Sequence, residues 1–204
     1  MCFLDKLHLL AKRVIDLLGA GAGLILLSPV LLLAALAVKL QDGGPILYRR
    51  RCVGCKADFD AFKLRSMRID ADNYLDLHPE LKAEFEKNYK LNGDPRITSV
   101  GAFLRKNSID ELPQLFNVLR GEMSMVGPRM ITRPELEKYG DKAATLLTVK
   151  PGMTGFWQVA GRQEVEYGDR VEMDIYYIAN WSLVLDLQIL IKTPLKVLRR
   201  EGAQ

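Results

Sequence analysis

The chain opens with a long apolar stretch and then turns polar and mixed. From Leu17 to Val38 no residue is charged, with Asp16 on one side and Lys39 on the other. As a helix this stretch measures about 33 Å, enough to cross a bilayer. It lacks the polar stripe of a helix half-buried in a soluble core. Ser28-Pro29 lies near its middle. Pro29 has no N–H and its ring crowds the preceding turn, so a kink is expected there. Ser28 can satisfy a carbonyl that the proline leaves without a donor, which lowers the cost inside lipid. Lys6, Lys12 and Arg13 precede the stretch, and Lys39 and Arg49-Arg50-Arg51 follow it. Basic flanks favour the cytoplasmic side. With both flanks basic, a span and a hairpin that leaves by the face it entered both remain open. A cleaved leader fits less well, because the apolar run is long and interrupted by proline.

Beyond the turn cluster Gln41-Asp42-Gly43-Gly44-Pro45, Ile46-Leu47-Tyr48 and Phe59 to Leu64 read as two short strands. The Gly54 region would join them as a hairpin. A charged helical pattern runs from about Asp70 to Leu91, with a break at His78-Pro79. Asn92-Gly93-Asp94-Pro95 is a turn. Ser99 to Lys106 and Asp110 to Leu119 read as helices, and Pro134 to Tyr139 starts another. Lys150 to Arg162 holds three glycines and a proline and reads as a tightly bending loop. Asp169 to Trp181 is helical. Leu183 to Leu198 forms a last amphipathic helix with basic residues and Trp181 at its start, suited to the headgroup plane or to packing on the core.

Composition adds limits. The 204 residues are 49% hydrophobic and carry a formal charge of +4, which suits one domain with a membrane segment and is compatible with an anionic partner. Three cysteines, an odd and small number, argue against a disulfide framework. Cys52-Val53-Gly54-Cys55 has the spacing of half a zinc site, but no second pair follows it.

The central chemical signal is Ser108-Ile109-Asp110-Glu111-Leu112-Pro113-Gln114. Pro113 fits the first turn of a helix, which places Asp110 at or near its N-cap. There a carboxylate would be held ionised by free N–H groups, as a nucleophile requires, beside a place where a phosphate can bind. Glu111 adds a second charge, and Mg²⁺ would relieve the repulsion and bridge to a diphosphate. Arg105, Arg129 and Arg162 could each hold phosphate oxygens.

Several runs carry a family resemblance. They are Asp94-Pro95-Arg96-Ile97-Thr98, Phe103-Leu104-Arg105, Ser108 to Val118, Met123-Ser124-Met125-Val126-Gly127-Pro128-Arg129, Lys150 to Val159 with Gly161-Arg162, and Asp174-Ile175-Tyr176-Tyr177. In order and from about Lys12 to Gly202, the chain resembles the bacterial sugar transferases, the monotopic polyprenol-phosphate phosphoglycosyl transferases. Lys63-Leu64-Arg65-Ser66-Met67 and Ser28-Pro29 fit the same pattern. Met130 departs from it, since a second proline often stands there.

The resemblance implies an α+β, mostly helical fold: a re-entrant membrane helix broken at Ser28-Pro29, a small catalytic domain with a short β-hairpin, and interfacial amphipathic helices. Residues 1–42 would form the membrane segment with its flank, and 43–204 a membrane-associated cytoplasmic domain at the bacterial inner membrane. The implied reaction moves a sugar-1-phosphate from a UDP-sugar to polyprenol (undecaprenyl) phosphate and starts exopolysaccharide, capsule, O-antigen or glycoconjugate synthesis. Asp110 would attack the β-phosphate, release UMP and carry the phosphosugar. Mg²⁺ would be held by Glu111 with Asp110, and phosphate by Arg105, Arg129 and Arg162. The chain looks like the minimal form of the family or the core of a larger transferase. A non-catalytic membrane-anchored adaptor would explain the anchor and basic flanks, but not the dense motifs from Asp94 to Arg162. A nucleic-acid partner is not expected, for want of any recognisable motif. The sugar, the lipid length and whether a homodimer forms are left open.

Overall fold

A computed structural model describes residues 3–88, 91, 93–160 and 166–198. The fold is α+β and mostly helical. It begins with α1 (Phe3–Asp42), a helix about 60 Å long that contains Pro29. α1 continues through Ser28-Pro29. The local chemistry is the one the sequence suggests. Pro29 cannot donate to the Ile25 carbonyl, and Ser28 Oγ donates to that carbonyl instead, at 2.8 Å. Gly43, at φ 71°, ends α1 by donating its N–H to Lys39 O at 3.0 Å.

Both halves of α1 lie on the rest of the molecule. A hairpin follows it: β1 (Leu47–Cys52) pairs antiparallel with β2 (Phe59–Leu64), Leu47 opposite Leu64 and Cys52 opposite Phe59. Next come α2 (Ala71–Asp76), α3 (Pro79–Asn88) and α4 (Ser99–Lys106). A 3-10 turn, Ile109–Glu111, leads to α5 (Gln114–Arg120). The early half of α1 puts Ala20 and Leu24 against Leu115, Val118 and Met123. Gly23 makes this approach feasible, since a Cβ there would come within 3.2 Å of a Leu115 methyl. The later half puts Leu31, Ala34 and Val38 against Leu64 and Leu104.

Polar clamps fasten the early half. Arg13 donates to Val118 O at 2.7 Å and Leu119 O at 2.9 Å, meeting the carbonyls at the end of α5. Buried Asp16 accepts from Ser124 Oγ at 2.9 Å and Met125 N at 2.8 Å. Lys12 pairs with Asp186 at 2.6 Å. At the far end Asp42 pairs with Arg65. The opposite face of α1 is exposed and apolar, including Leu18, Ile25, Leu26, Leu32, Leu33 and Leu40. Leu7–Asp42 is long and apolar enough to cross a membrane. An exposed apolar surface of this length marks a membrane-associated protein.

The remainder closes the domain. β3 (Ser124–Val126) pairs in parallel with β4 (Gly152–Thr154). Between them lie α6 (Arg133–Leu136), a 3-10 segment (Glu137–Lys142) and α7 (Ala143–Leu146). After β4 come α8 (Phe156–Ala160), α9 (Tyr167–Ala179) and α10 (Leu183–Leu198). The sequence reading of Lys150 to Arg162 as a loop is therefore corrected: within its described part it contains β4 and α8. Three-residue strands are too short to show periodicity. Their pairing depends on glycine, because a Cβ on Gly152 or Gly127 would collide with the facing backbone. Tyr177 OH donates to Asp186 at 2.7 Å, tying α9 to α10 beneath Lys12.

Candidate active site

The site forms where α4, the turn after it, the hairpin and the segment after β3 meet. Ser108 is the one described non-glycine residue at positive φ (55°), and its N–H closes α4 on Arg105 O at 3.0 Å. This left-handed residue redirects the chain, so Ile109–Glu111 forms its own 3-10 turn. Such conformations are held in place by their surroundings and cluster at functional sites. Pro113, not Asp110, is the N-cap of α5. Asp110, expected at or near that cap, precedes it by three residues and lies in the 3-10 turn.

Asp110 is buried, at 6% exposure. Burial and the neighbouring Glu111 charge raise its pKa above the ordinary 3.8, while Lys63 and Arg105 pull it down. A carboxylate steadied in its ionised form by helix N–H groups is therefore replaced by one that is harder to ionise than usual. Glu111 behaves oppositely. Burial works against its charge, but Lys63, Arg129 and Arg105 hold it at about 2. Lys63 Nζ donates to Glu111 Oε1 at 2.6 Å, and Arg129 Nη2 lies 3.6 Å from the same oxygen. The two adjacent carboxyls are thus driven apart, one a fixed anion and the other a tunable group.

Arg105 stands in the last turn of α4, its Nε donating to Ser66 Oγ at 2.9 Å. Burial lowers its pKa, and the charges of Asp110, Asp94 and Glu111 favour its charged form. Gly101 allows α4 to approach this closely, since a Cβ there would collide with the Ser66 backbone. Asp94 and Arg96 form a buried pair at 2.6 Å behind it. Asp110, Glu111, Arg105 and Arg129 all line one open groove of ≈ 1840 Å³, whose wall also includes Gly19, Gly23 and Leu27 of α1. Arg162 lies outside the described residues.

The structure adds residues that the sequence reading did not assign. Lys63 reaches the pair from β2, and no local spacing announces that contact across 48 positions. Trp157 and Arg170 line the same groove. Asp174, 1% exposed, accepts from Tyr139 OH at 2.8 Å, and burial raises its pKa to about 7. Cys52 is buried with a pKa raised to about 11, and Cys55 is free. Among the described residues no group of three or more His, Cys, Asp or Glu could hold a metal.

The sequence as a whole matches the model of the family described as bacterial sugar transferase over residues 7–200. The chain is a bacterial sugar transferase family member. A Salmonella typhimurium relative named undecaprenyl-phosphate galactose phosphotransferase is 48% identical over 94% of this chain and 41% of its own length. A Rhizobium meliloti exopolysaccharide production protein, ExoY, is 46% identical over 90% of this chain and 84% of its own. A Caulobacter vibrioides relative named UDP-glucose:undecaprenyl-phosphate glucose-1-phosphate transferase is 41% identical over 95% of this chain and 72% of its own. The chain therefore spans less than half of the Salmonella relative's length and most of the other two. Asp110 and Glu111 lie inside the matched stretch.

Proposed function

We propose that this family member is a polyprenyl-phosphate hexose-1-phosphate transferase. It moves a sugar-1-phosphate from a UDP-sugar to polyprenol phosphate through a covalent intermediate on Asp110. The observation that carries this reading is the carboxyl pair, Asp110 buried and Glu111 half-buried and fixed as an anion, facing a groove with Lys63, Arg105 and Arg129 around it. The relatives' names support the substrate class: one names galactose transfer and another glucose transfer to undecaprenyl phosphate.

In the first step an Asp110 carboxylate oxygen bonds to the β-phosphorus, and the bond from that phosphorus to the bridging oxygen breaks, giving UMP. In the second step the phosphate oxygen of the lipid attacks the same phosphorus and frees the carboxylate. Arg105 and Arg129 hold phosphate oxygens, and Arg162 is assigned the same task from the sequence. Lys63 keeps Glu111 charged and in place. An adjacent pair of carboxylates suits Mg²⁺, which binds through one or two carboxylates and the substrate's phosphates. Glu111 and Asp110 would hold Mg²⁺, which neutralises charge on the diphosphate.

The anchor is read as re-entrant, with residues 1–42 forming the membrane helix and its N-terminal flank and 43–204 on the cytoplasmic face of the inner membrane. Support comes from both halves of α1 resting on one domain, with the apolar face turned away. The test is release of UMP from UDP-glucose and UDP-galactose by purified protein with Mg²⁺. Wild type should release UMP with at least one donor, and Asp110→Asn with neither. Equal rates for the two proteins would remove the nucleophile assignment.

A further inference from the structure

The groove that holds Asp110 and Glu111 also runs between two helices. Leu112 and Leu115, just after the carboxyl pair in sequence, line it, and Leu115 meets α1 at Gly23. α1 contributes Gly19, Gly23 and Leu27, each four residues from the next and so on one face of the helix. α10 contributes Leu190, Pro194 and Val197, again on one face. Lys12 and Asp186 pin the two helices together at 2.6 Å, and both helices pack on β3. Met125 of β3 and Met153 of β4 line the same arm, and a Cβ on Gly19 would stand 3.5 Å from the Met125 side chain. The threonine hydroxyls there satisfy one another. Thr154 Oγ1 lies 2.8 Å from Thr193 Oγ1, and Thr193 donates to Ile189 O at 2.8 Å.

We propose that this arm between α1 and α10 is a trough for the hydrocarbon chain of the acceptor, and that it holds the first isoprene units of the polyprenol phosphate. The inference rests on the transfer reading above and gives its lipid substrate a path. Each wall borders on exposed apolar surface: Leu26 and Val30 beside the α1 face, Leu187 and Ile191 beside the α10 face. An apolar chain therefore enters sideways from lipid along an apolar border. From Gly19 to Leu27 the wall measures about 12 Å, room for about two or three isoprene units. The thioether side chains of Met125 and Met153 adapt to a kinked, unsaturated chain. Lys63, Arg105 and Arg129 in the same groove suit a terminal phosphate monoester, which carries more charge than the diester of a phospholipid. Lipid tails are as apolar as the trough, so burial in it adds little affinity within a bilayer. Its gain is orientation: a chain held along α1 fixes the phosphate that must meet the phosphosugar on Asp110.

The test is transfer by the full chain in nanodiscs with Mg²⁺, a UDP-sugar that wild type cleaves, and farnesyl phosphate as acceptor. Two quantities are read: the burst of UMP without acceptor, which reports the first step, and KM for farnesyl phosphate. Leu27→Trp on one wall and Val197→Trp on the other should each raise that KM at least about tenfold and leave the burst within about twofold. Leu33→Trp, on the exposed face of α1 outside the groove, should change neither. An unchanged KM in the wall variants overturns the trough. A burst that falls with them, or an equal KM rise in Leu33→Trp, overturns it too, because these report distortion or altered seating in the membrane. Loss of co-purified phospholipid with transfer unaltered assigns the arm to a structural lipid and overturns it as well. If one wall variant does not fold, the other decides. A wild-type protein that gives no UMP burst removes the transfer reading itself, whereas a normal burst with unchanged KM in the wall variants removes only this inference.

Discussion

Lys63 and Glu111 meet at 2.6 Å, joining the β-hairpin to the carboxyl pair. The contact is mostly buried, with 14% of the lysine side chain and 22% of the glutamate side chain exposed. A hairpin that looks structural in sequence is therefore part of the charge balance of the site.

Replacing Lys63 with methionine should leave Glu111 with less compensation and cost about 1–3 kcal/mol. A depressed carboxyl pKa gives stability that is present above the unfolded value of 4.5 and lost as pH falls toward about 2. Lys63→Met should accordingly flatten the loss of melting temperature between pH 5 and about 2, seen by thermal denaturation in detergent. UMP release should fall at least about tenfold. A variant with unchanged acid sensitivity would show that the pair contributes nothing.

Ser28 and Pro29 should act as one unit. With proline present, Ser28→Ala leaves the Ile25 carbonyl without a donor in lipid and should cost about 1–2 kcal/mol. In a Pro29→Ala background the restored N–H serves that carbonyl, and the same serine change should cost near zero. Melting of the four proteins in nanodiscs checks this, and additive costs would contradict the hydrogen-bond account.

Asp174 should make stability depend on pH in the opposite sense to Glu111. Its raised pKa means that the native state keeps a proton the unfolded chain has lost. The resulting stability is full below 3.8 and lost as pH rises through about 7. Asp174→Asn removes that titration and retains an acceptor for Tyr139. Relative to wild type it should gain on the order of 2–4 kcal/mol between pH 4 and pH 8. A difference that stays flat across this range would argue against a proton on Asp174.

Arg13→Gln should loosen the early half of α1 by removing a charged cap from the end of α5, at a cost of about 1–2 kcal/mol. Hydrogen exchange at Val118 to Arg120 should rise, while exchange in the hairpin stays unchanged. Faster exchange throughout the chain would instead indicate global unfolding.

Much of this architecture could be read from the sequence where a signal was local. The hairpin followed from two short strand-like runs joined through the Gly54 region, α10 from its amphipathic pattern, and the Ser28 bond from the missing proline N–H. Asp110 and Glu111 stood out through their motif. What escaped depends on contacts between distant positions or on a single backbone angle. The left-handed Ser108 detaches Asp110 from α5, and nothing in a serine announces it. β3 and β4 are three residues each and find one another across the intervening helices. Lys63, Trp157 and Arg170 acquire their roles only when the chain is closed, because each meets its partners from a different element.

The clamps along α1 have a mechanical consequence. A helix bolted at Arg13 and Asp16 near one end, and at Asp42 near the other, has no slack with which to swing. If the surrounding bilayer thins or thickens, the whole body must rock or sink together, and the depth of its reaction centre is set by rigid leverage rather than by the reach of a tether.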